Sequence, residues 1–359
     1  MIEVPPTAQF GIGGRLIGPG NPVYIIAELS SNHGQQFDAA VAILRGAHAA
    51  GADAIKLQTY TPDTITLDSD APAFVQGSSS LWAGTTLHAL YEKAYMPWDW
   101  QPRLKAIADE LGMDCFSSPF DASAVDFLLA MDVPAFKIAS FELVDLPLIR
   151  KVAATGRPMI MSTGMATEDE IDEAVETARA AGATDIALLK CTSAYPAPPE
   201  SINLQAIPTM AERWQVPIGL SDHTQGVAIA AAAVALGACI VEKHVTSSHA
   251  DATPDEAFSL DLVEFAAMVR AIRMVEGAGG ASIGPTDEEA ESRRFRRSLF
   301  VVEDVQAGEP LTERNVRSIR PAAGMHTREL ENVLGRRAAM AIPRGTPLSW
   351  DLLAPDTPS

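Results

Sequence analysis

A regular alternation of short apolar segments with longer amphipathic segments organises the first 280 residues. Eight apolar or β-branched segments begin near residues 24, 54, 114, 135, 158, 186, 217 and 239. Because they lack the polar and apolar alternation of a sheet with one solvated face, they indicate parallel strands that are buried on both faces. The segments between them are typical of helices, and several end at glycine. Eight such units in about 250 residues predict an α/β fold of the (β/α)8 TIM barrel type.

A doubly wound open sheet is the alternative fold. No G-x-G-x-x-G sequence follows the first predicted strand, which makes a dinucleotide-binding sheet of this kind less favoured. The interval from Thr61 to about Pro97 is too long for an ordinary connection between a strand and a helix. It is interpreted as an elaboration of the active site.

The pattern changes after residue 280. A polar and glycine-rich stretch, 281–296, is interpreted as a linker between a barrel domain, 1–280, and a small β-rich domain, 297–355. Short strands and tight turns dominate this last part. About 60 residues provide only a small hydrophobic core, so this domain is expected to be stable only when it packs against another part of the protein or a partner.

The net charge of −19 is unevenly distributed. The stretch 293–351 contains eleven arginines and seven acidic residues and carries +4, which leaves −23 on the remainder. An acidic main body argues against nucleic acid as a partner, because phosphate binding needs a basic surface. The basic C-terminal stretch gives a weak indication of docking on an acidic neighbour, although such an imbalance more often reflects a solvated surface.

The sequence predicts a cytoplasmic protein that does not enter a membrane. No apolar run approaches the ~18 to 20 residues of a membrane helix, and the start lacks the features of a signal peptide. Cys115, Cys191 and Cys239 all lie within apolar runs and have neither paired nor metal-type spacing. They are predicted to be core residues rather than parts of a disulfide framework.

Polar residues follow every one of the eight predicted strands. In a barrel of this type the carboxyl ends of the strands face the active site. One or two such positions would be explained by structural polar residues, whereas eight of eight indicate a site. The strand-end residues are Glu28, Lys56, Gln58, Ser117, Ser118, Lys137, Ser140, Glu142, Ser162, Thr163, Thr192, Ser193, Tyr195, Ser221, Asp222, His223, Glu242, Lys243, His244 and Thr246.

Two lysines, Lys56 and Lys137, lie within otherwise apolar strands. A buried ammonium is costly unless it meets an anion, and the nearby serine and threonine hydroxyls supply further donors. A phosphorylated substrate that also carries a carboxylate would satisfy both lysines. A Schiff-base lysine is the competing interpretation, and it requires one essential lysine and no metal.

His223 and His244 end consecutive strands, which are neighbours in a barrel. Two imidazoles placed in this way can share one divalent cation, with the carboxylates of Glu28 and Asp255 in reach. A histidine at a strand end is also a common structural residue. His33, together with Asn32, is assigned to the rim of the first loop rather than to the metal.

The ordered segments IIAEL..NHG, IKLQTY, FSSPFD, KIASFE, MSTGM, CTSAYPAP, GLSDHT and EKHVT, followed by TPDEAFSL, resemble the sialic acid synthase (NeuB-like) family. Members of that family condense phosphoenolpyruvate with an amino sugar. The resemblance runs from about Tyr24 to Trp350. The C-terminal part resembles the antifreeze-like SAF domain of the family, which in the homodimer reaches over the partner barrel.

The resemblance implies roles for individual residues of this chain. His223 and His244 become ligands of a divalent metal, Mn²⁺ or Mg²⁺. Phosphoenolpyruvate is expected to contact Lys56, Ser117, Lys137, Ser140, Ser162 and Ser221. The sugar is expected to contact Gln58, Tyr195, Asp255 and Arg320, the last from the partner subunit. Glu28, Glu142, Lys56 and Lys137 are the expected catalytic residues, with Glu142 near the reacting carbons.

Two segments, ELSSNHGQ and LWAGTTLHALYEKAYMPWDW, favour the pseudaminic branch of the family. This branch implies 2,4-diacetamido-2,4,6-trideoxy-altrose as the sugar, and the N-acetylneuraminic and legionaminic branches are the alternatives. Ser193 stands where many members have asparagine, and RPAAGM lacks a usual glycine, so the sugar contacts at these positions depart from the family pattern. A non-catalytic sugar-binding barrel is less favoured, because the lysines, histidines and carboxylates are all present.

Overall fold

The chain divides into two compact units. The computed structural model describes residues 9–77, 82–250, 253–280 and 283–355. The units are Met1–Gly280 and Ala281–Ser359. The first is a closed parallel barrel surrounded by helices, and the second contains a small antiparallel sheet. The fold class predicted from the alternation of segments is confirmed.

All eight predicted barrel strands form. They follow a hairpin of β1 (Phe10–Ile12) and β2 (Arg15–Ile17), and in chain order they are β3 (Tyr24–Glu28), β4 (Ala54–Thr59), β5 (Asp114–Pro119), β6 (Phe136–Ile138), β7 (Met159–Ser162), β8 (Ile186–Cys191), β9 (Ile218–Asp222) and β10 (Ile240–Thr246). Each strand pairs in parallel with the next, and β10 also pairs with β3, which closes the barrel. A short strand, β11 (Leu260–Asp261), pairs in parallel with the end of β10.

Ten helices of the first unit are described, and local sequence signals set their ends. They are α1 (Phe37–Ala50), α2 (Pro62–Ile65), α3 (Leu87–Ala94), α4 (Gln101–Glu110), α5 (Ala122–Ala130), α6 (Leu146–Ala153), α7 (Glu168–Ala180), α8 (Ala206–Trp214), α9 (Ala228–Ala235) and α10 (Leu262–Gly277). At the start of α7, Thr167 and Glu170 form a reciprocal capping box. Helix α1 ends at Gly51, whose φ of 97° is readily adopted only by glycine.

The hairpin β1–β2 was not anticipated from the sequence. Its residues Phe10, Ile12 and Ile17 are buried in the same apolar cluster as Tyr24 and Phe116 of the barrel strands. A strand of three residues is too short to show a hydrophobic pattern that could be recognised in the sequence. Their position follows from the apolar surface that the barrel offers.

The long interval after β4 contains α2 and α3, and it is described over 61–77 and 82–97. Tyr91 of α3 packs edge-on against Tyr60, with ring centroids 5.5 Å apart. Tyr60 directly follows β4 and also packs against Phe120, which directly follows β5. Helix α3 therefore lies beside the carboxyl ends of these two strands.

The second unit contains two antiparallel strands, β12 (Ser298–Val301) and β13 (Val316–Ile319), and the short helix α11 (Leu330–Val333). Its own apolar core consists of Leu299, Val301, Val305, Leu311, Val316, Val333, Ala338, Ile342, Leu348 and Leu353. The unit therefore has a small core that is separate from those of the barrel.

The three cysteines are buried and unpaired, as predicted. Among the helices within the described ranges, none is both long and apolar enough to cross a membrane.

Candidate active site

The barrel lumen collects charged side chains from neighbouring strands. Residues two positions apart in a strand point to the same face, so Lys56 and Gln58 of β4 both point inward, as do Glu242 and His244 of β10. Lys56 Nζ lies 2.6 Å from Glu28 Oε2 and 3.8 Å from Glu242 Oε1.

The second lysine joins the same group. Lys137 Nζ lies 3.6 Å from Glu242 Oε1, so both ammonium groups approach one carboxylate oxygen. All four side chains are at least 95% shielded from solvent. The sequence-based interpretation noted Glu242 at its strand end but gave it no role. Its spacing of two from His244, which places both on one face, was the available signal.

Burial and charge act in opposite directions on these groups. Burial raises the pKa of Glu28, and Lys56 offsets this only in part. Burial would also raise the pKa of Glu242, but the positive charges of Lys137 and Lys56 outweigh it and lower that pKa. Burial lowers the pKa of Lys137. The lumen thus holds buried charges of both signs, whose protonation states respond to any added charge.

Serine hydroxyls surround the lysines. Lys137 Nζ donates to Ser162 Oγ at 2.7 Å, and Ser221 Oγ donates to Glu242 Oε1 at 3.1 Å. On β5, Ser118 lies 3.3 Å from Lys56 Nζ, whereas Ser117 Oγ lies 2.6 Å from Thr59 Oγ1 on the opposite face of the sheet. The structure therefore places Ser118, and not the expected Ser117, beside the lysine.

Ser140 and Gly164 form a close contact at the ends of β6 and β7. Gly164 N donates to Ser140 Oγ at 3.1 Å. A Cβ at position 164 would lie 2.7 Å from Ser140 Oγ and 2.2 Å from Ser193 Oγ, so a larger residue there would displace both hydroxyls.

Glu142 follows Ser140 in a short 3₁₀ segment. Burial raises the pKa of Glu142 to about 7. Its Oε2 is buried and has no hydrogen-bond partner within the described ranges. Burial, together with the negative charge of Glu142, raises the pKa of Tyr91. Glu142 is therefore a carboxyl group that can gain or lose a proton near neutral pH.

His223 and His244 come together as predicted, with ring centroids 5.3 Å apart. His223 Nδ1 lies 3.0 Å from the Thr192 carbonyl oxygen, so Nδ1 carries a proton. Burial would lower the pKa of His223, but the hydrogen bond to Cys191 and nearby negative charge outweigh it and raise that pKa. Burial and nearby positive charges hold the pKa of His244 well below its usual value. In the described part of the chain, His244 Nδ1 is buried without a hydrogen-bond partner. A neutral, unsatisfied imidazole of this kind suits a metal ligand.

Aromatic side chains enclose the two imidazoles. Tyr195 lies 4.5 Å from His223 and 5.0 Å from Phe258, measured between ring centroids. Phe258 lies 4.9 Å from His244. Sequence reasoning missed Phe258, because it lies in the loop after β10 rather than at a strand end.

Hydrogen bonds connect the polar side chains near the carboxyl end of β3. Gln58 Nε2 donates to Glu28 Oε1 and to Ser30 Oγ, both at 2.9 Å. Ser30 Oγ in turn donates to Asp255 Oδ2. The structure thus brings Glu28, Gln58 and Asp255 together, although Asp255 follows Gln58 by 197 residues and Glu28 by 227.

His33, which was assigned to the rim of the first loop, lies in the turn after β3 and is buried. It is 1% exposed, its Nδ1 accepts from the backbone N–H of Gln35 at 2.9 Å, and its ring packs edge-on against Trp100 at 5.7 Å. Burial lowers its pKa to about 4. Asn32 is equally buried and donates to the Val245 carbonyl oxygen at 2.9 Å. Both residues hold the first loop in place.

Two further groups contain charged or metal-ligating side chains. Within the described ranges, the donor atoms of His249, Asp261 and Glu264 lie within 4.8 Å of one another, but His249 and Glu264 are exposed. The other group is Arg320, which is exposed in the second unit directly after β13.

Comparisons with known proteins match both units. Residues 43–284 match the NeuB family, and residues 296–354 match the SAF domain. The pseudaminic acid synthase of Helicobacter pylori is 42% identical over 92% of this chain and 97% of its own length. The N,N'-diacetyllegionaminic acid synthase of Legionella pneumophila is 32% identical over 93% and 95%. The crystal structure of N-acetylneuraminic acid synthetase from Leptospira borgpetersenii aligns with a TM-score of 0.70 at 30% identity, covering 80% of this chain and 95% of that one.

Proposed function

The chain belongs to the NeuB family and is an enzyme, as the motif resemblance predicted, and we propose that it is a pseudaminic acid synthase. The observation that carries the proposal is the 42% identity to pseudaminic acid synthases over nearly the whole chain, against 32% to a legionaminic acid synthase. The substrates would be phosphoenolpyruvate and 2,4-diacetamido-2,4,6-trideoxy-altrose. The products would be a nine-carbon nonulosonic acid and phosphate.

Lys56 and Lys137 would bind the anionic groups of phosphoenolpyruvate. In the structure their ammonium groups converge on Glu242 Oε1 from two strands, and three serine hydroxyls lie around them. An incoming phosphate or carboxylate would accept from the same ammonium and hydroxyl donors. Ser118 takes the place first assigned to Ser117, and Ser140 adds a hydroxyl at the edge of the group. The lysines act by positioning the substrate rather than by proton transfer.

His223 and His244 would hold the divalent metal, Mn²⁺ or Mg²⁺. Synthases of this family are generally metal-dependent. Two features suit binding of a cation: Nδ1 of His244 has no hydrogen-bond partner among the described residues, and the bond to the Thr192 carbonyl oxygen fixes a proton on Nδ1 of His223. A bound divalent cation supplies Lewis-acid polarisation of a carbonyl oxygen.

The reaction forms a bond between C3 of phosphoenolpyruvate and the aldehyde carbon of the open-chain sugar, and the aldehyde oxygen takes up a proton to become a hydroxyl group. Water adds at C2, and the bond between C2 and the phosphate oxygen then breaks to release phosphate. Glu142 has a pKa of about 7 and a free buried oxygen, so it can accept a proton from the water. Glu28 would share in catalysis from its position between Lys56 and Gln58.

Gln58, Tyr195 and Asp255 would contact the sugar. Gln58 and Asp255 are joined through Ser30, and Tyr195 lies beside His223. Within the described part of the long insertion, the ring of Tyr91 contacts Tyr60, and burial together with the negative charge of Glu142 raises the pKa of its phenol. We assign Tyr91 to the wall around the apolar 6-deoxy end of the sugar.

The second unit would act across a homodimer, with Arg320 contacting the acylated sugar bound in the partner's barrel. Co-expression of an Arg320→Ala chain with a His223→Ala chain tests this arrangement. Each homodimer should be nearly inactive, and the mixed dimer should regain active sites if the arginine acts on the other barrel. If the mixed dimer recovers no activity, Arg320 acts on the barrel of its own chain or has a structural role.

Phosphate release with a panel of sugars tests the overall proposal. The panel contains the diacetamido-altrose, the legionaminic precursor and N-acetylmannosamine, each with phosphoenolpyruvate. The proposal expects the highest kcat/KM for the diacetamido-altrose. A higher value for either of the other sugars would reassign the branch, and no phosphate release with any of them would contradict a synthase function.

A further inference from the structure

A buried ion pair lies behind His223, on the face of the sheet away from the lumen. Asp222 of β9 and Lys243 of β10 are register partners, as are Ser221 and Glu242 one position before them. Because side chains alternate along a strand, the second pair points into the lumen and the first points away from it. Lys243 Nζ lies 2.8 Å from Asp222 Oδ2, and both side chains are 0% exposed.

The ion pair also holds the turn that follows β9. Asp222 Oδ1 accepts from the backbone N–H of Thr224 at 2.9 Å and from its hydroxyl at 2.8 Å. Lys243 Nζ donates to the Thr224 carbonyl oxygen. His223 is the central residue of this turn, so the backbone on either side of it is bound to one charge pair.

Stability alone is a weak reason for such a pair. Two charges removed from water recover little net free energy, and apolar replacements of similar volume often fold as well or better. The imidazole of His223 has a defined position, because its Nδ1 lies 3.0 Å from the Thr192 carbonyl oxygen and its ring centroid lies 5.3 Å from that of His244. Outer partners that orient a ligand in this way are a general feature of metal sites.

We infer that Asp222 and Lys243 are positioning residues that hold His223 in the orientation required for divalent metal binding. The inference rests on the proposed role of His223 as a metal ligand. Neither residue touches the lumen. Their effect passes through the turn 222–224.

The main test compares metal binding with folding in the full-length protein. Removing one charge alone would leave the other buried without a partner, so the test variant is Asp222→Asn/Lys243→Met, which keeps side-chain volume and removes both charges. Mn²⁺ is titrated into metal-stripped protein, and free Mn²⁺ is followed by electron paramagnetic resonance. The dissociation constant should rise by about 10- to 100-fold, with an unfolding midpoint close to that of the unmodified protein.

Two further variants make the result specific. Thr224→Val removes one bond to Asp222 and should raise the dissociation constant by a smaller factor. Tyr24→Phe removes a buried hydrogen bond to Asp114 at the other end of the barrel. It should lower the unfolding midpoint without changing Mn²⁺ affinity.

Hydrogen exchange provides a readout that is independent of metal. Backbone amides of 222–225 should exchange faster in the metal-free double variant than in the unmodified protein. Unchanged Mn²⁺ affinity or unchanged exchange in the folded double variant would overturn the inference. The variant His223→Ala distinguishes failure of the metal-ligand role from failure of the positioning role. If this variant binds Mn²⁺ normally, His223 is not a metal ligand, and the positioning role is overturned with it.

Discussion

The two ends of the barrel both carry charged networks, but the networks differ in how completely they are paired. At the amino end, Tyr24 donates to Asp114 at 2.7 Å, and Arg15 bridges Asp114 and Asp53. Asp53 also accepts from Arg273 at 3.2 Å. At the carboxyl end, Glu142 Oε2, Glu242 Oε2 and His244 Nδ1 are buried without hydrogen-bond partners among the described residues.

This difference separates a network that stabilises the fold from one that is prepared for a ligand. A buried polar atom without a partner costs free energy, so native proteins retain few of them. Their concentration around the lysines and histidines indicates that a bound substrate or metal completes the network. Substitutions at the carboxyl end should therefore change activity, and those at the amino end should change stability.

The largest expected effect is that of His223→Ala. Losing several kcal/mol of Lewis-acid stabilisation corresponds to a decrease in kcat of about 1,000-fold or more, while circular dichroism should report a folded protein. His48→Ala, in α1, is the matched control and should retain activity. Full activity of the unmodified enzyme in chelated, metal-free buffer would contradict the metal role.

Lys137→Met should lower kcat/KM for phosphoenolpyruvate by about 100- to 1,000-fold, because one of two ammonium groups in the anion site is lost. Lys190→Met is the control, since the Lys190 ammonium donates to the Cys191 carbonyl oxygen at 2.9 Å on the outer face of β8. Steady-state kinetics with varied phosphoenolpyruvate measure both. Equal effects of the two substitutions would remove the distinction between lumen and outer lysines.

Glu142→Gln tests proton transfer. Below pH 7 the carboxyl group is mainly protonated and cannot act as a base, so kcat/KM of the unmodified enzyme should rise with pH and level off above about 7. The substitution should lower the rate by about 100-fold and remove this limb of the profile. A variant that keeps the limb would assign it to another group, such as the phosphate of the substrate.

The smallest kinetic effect is expected from Tyr24→Phe at the amino end. Losing the bond to Asp114 should reduce the free energy of unfolding by about 1 to 2 kcal/mol and leave kcat/KM unchanged. Chemical denaturation and kinetics on the same sample measure both quantities. A large loss of activity would mean that the two ends are coupled.

Strand and helix placement followed directly from the sequence, because strands buried on both faces are continuous apolar runs. The pairing of His223 with His244 also followed, since consecutive strands are neighbours in a closed barrel and both residues stand at strand ends. The hairpin β1–β2 and the role of Phe258 did not follow. Both depend on surfaces formed by residues distant in the sequence.

The sequence by itself determined the barrel, the family and the set of polar residues at the strand ends, because these are recorded in local pattern and order. Only the tertiary structure decided which of two neighbouring strand-end residues faces the lumen. It placed Ser118 rather than Ser117 beside Lys56, joined Glu242 to both lysines, and set Asp222 and Lys243 behind His223. The physical reason is register: the side-chain period of two gives each strand two faces, and only pairing with its neighbours fixes which atoms meet.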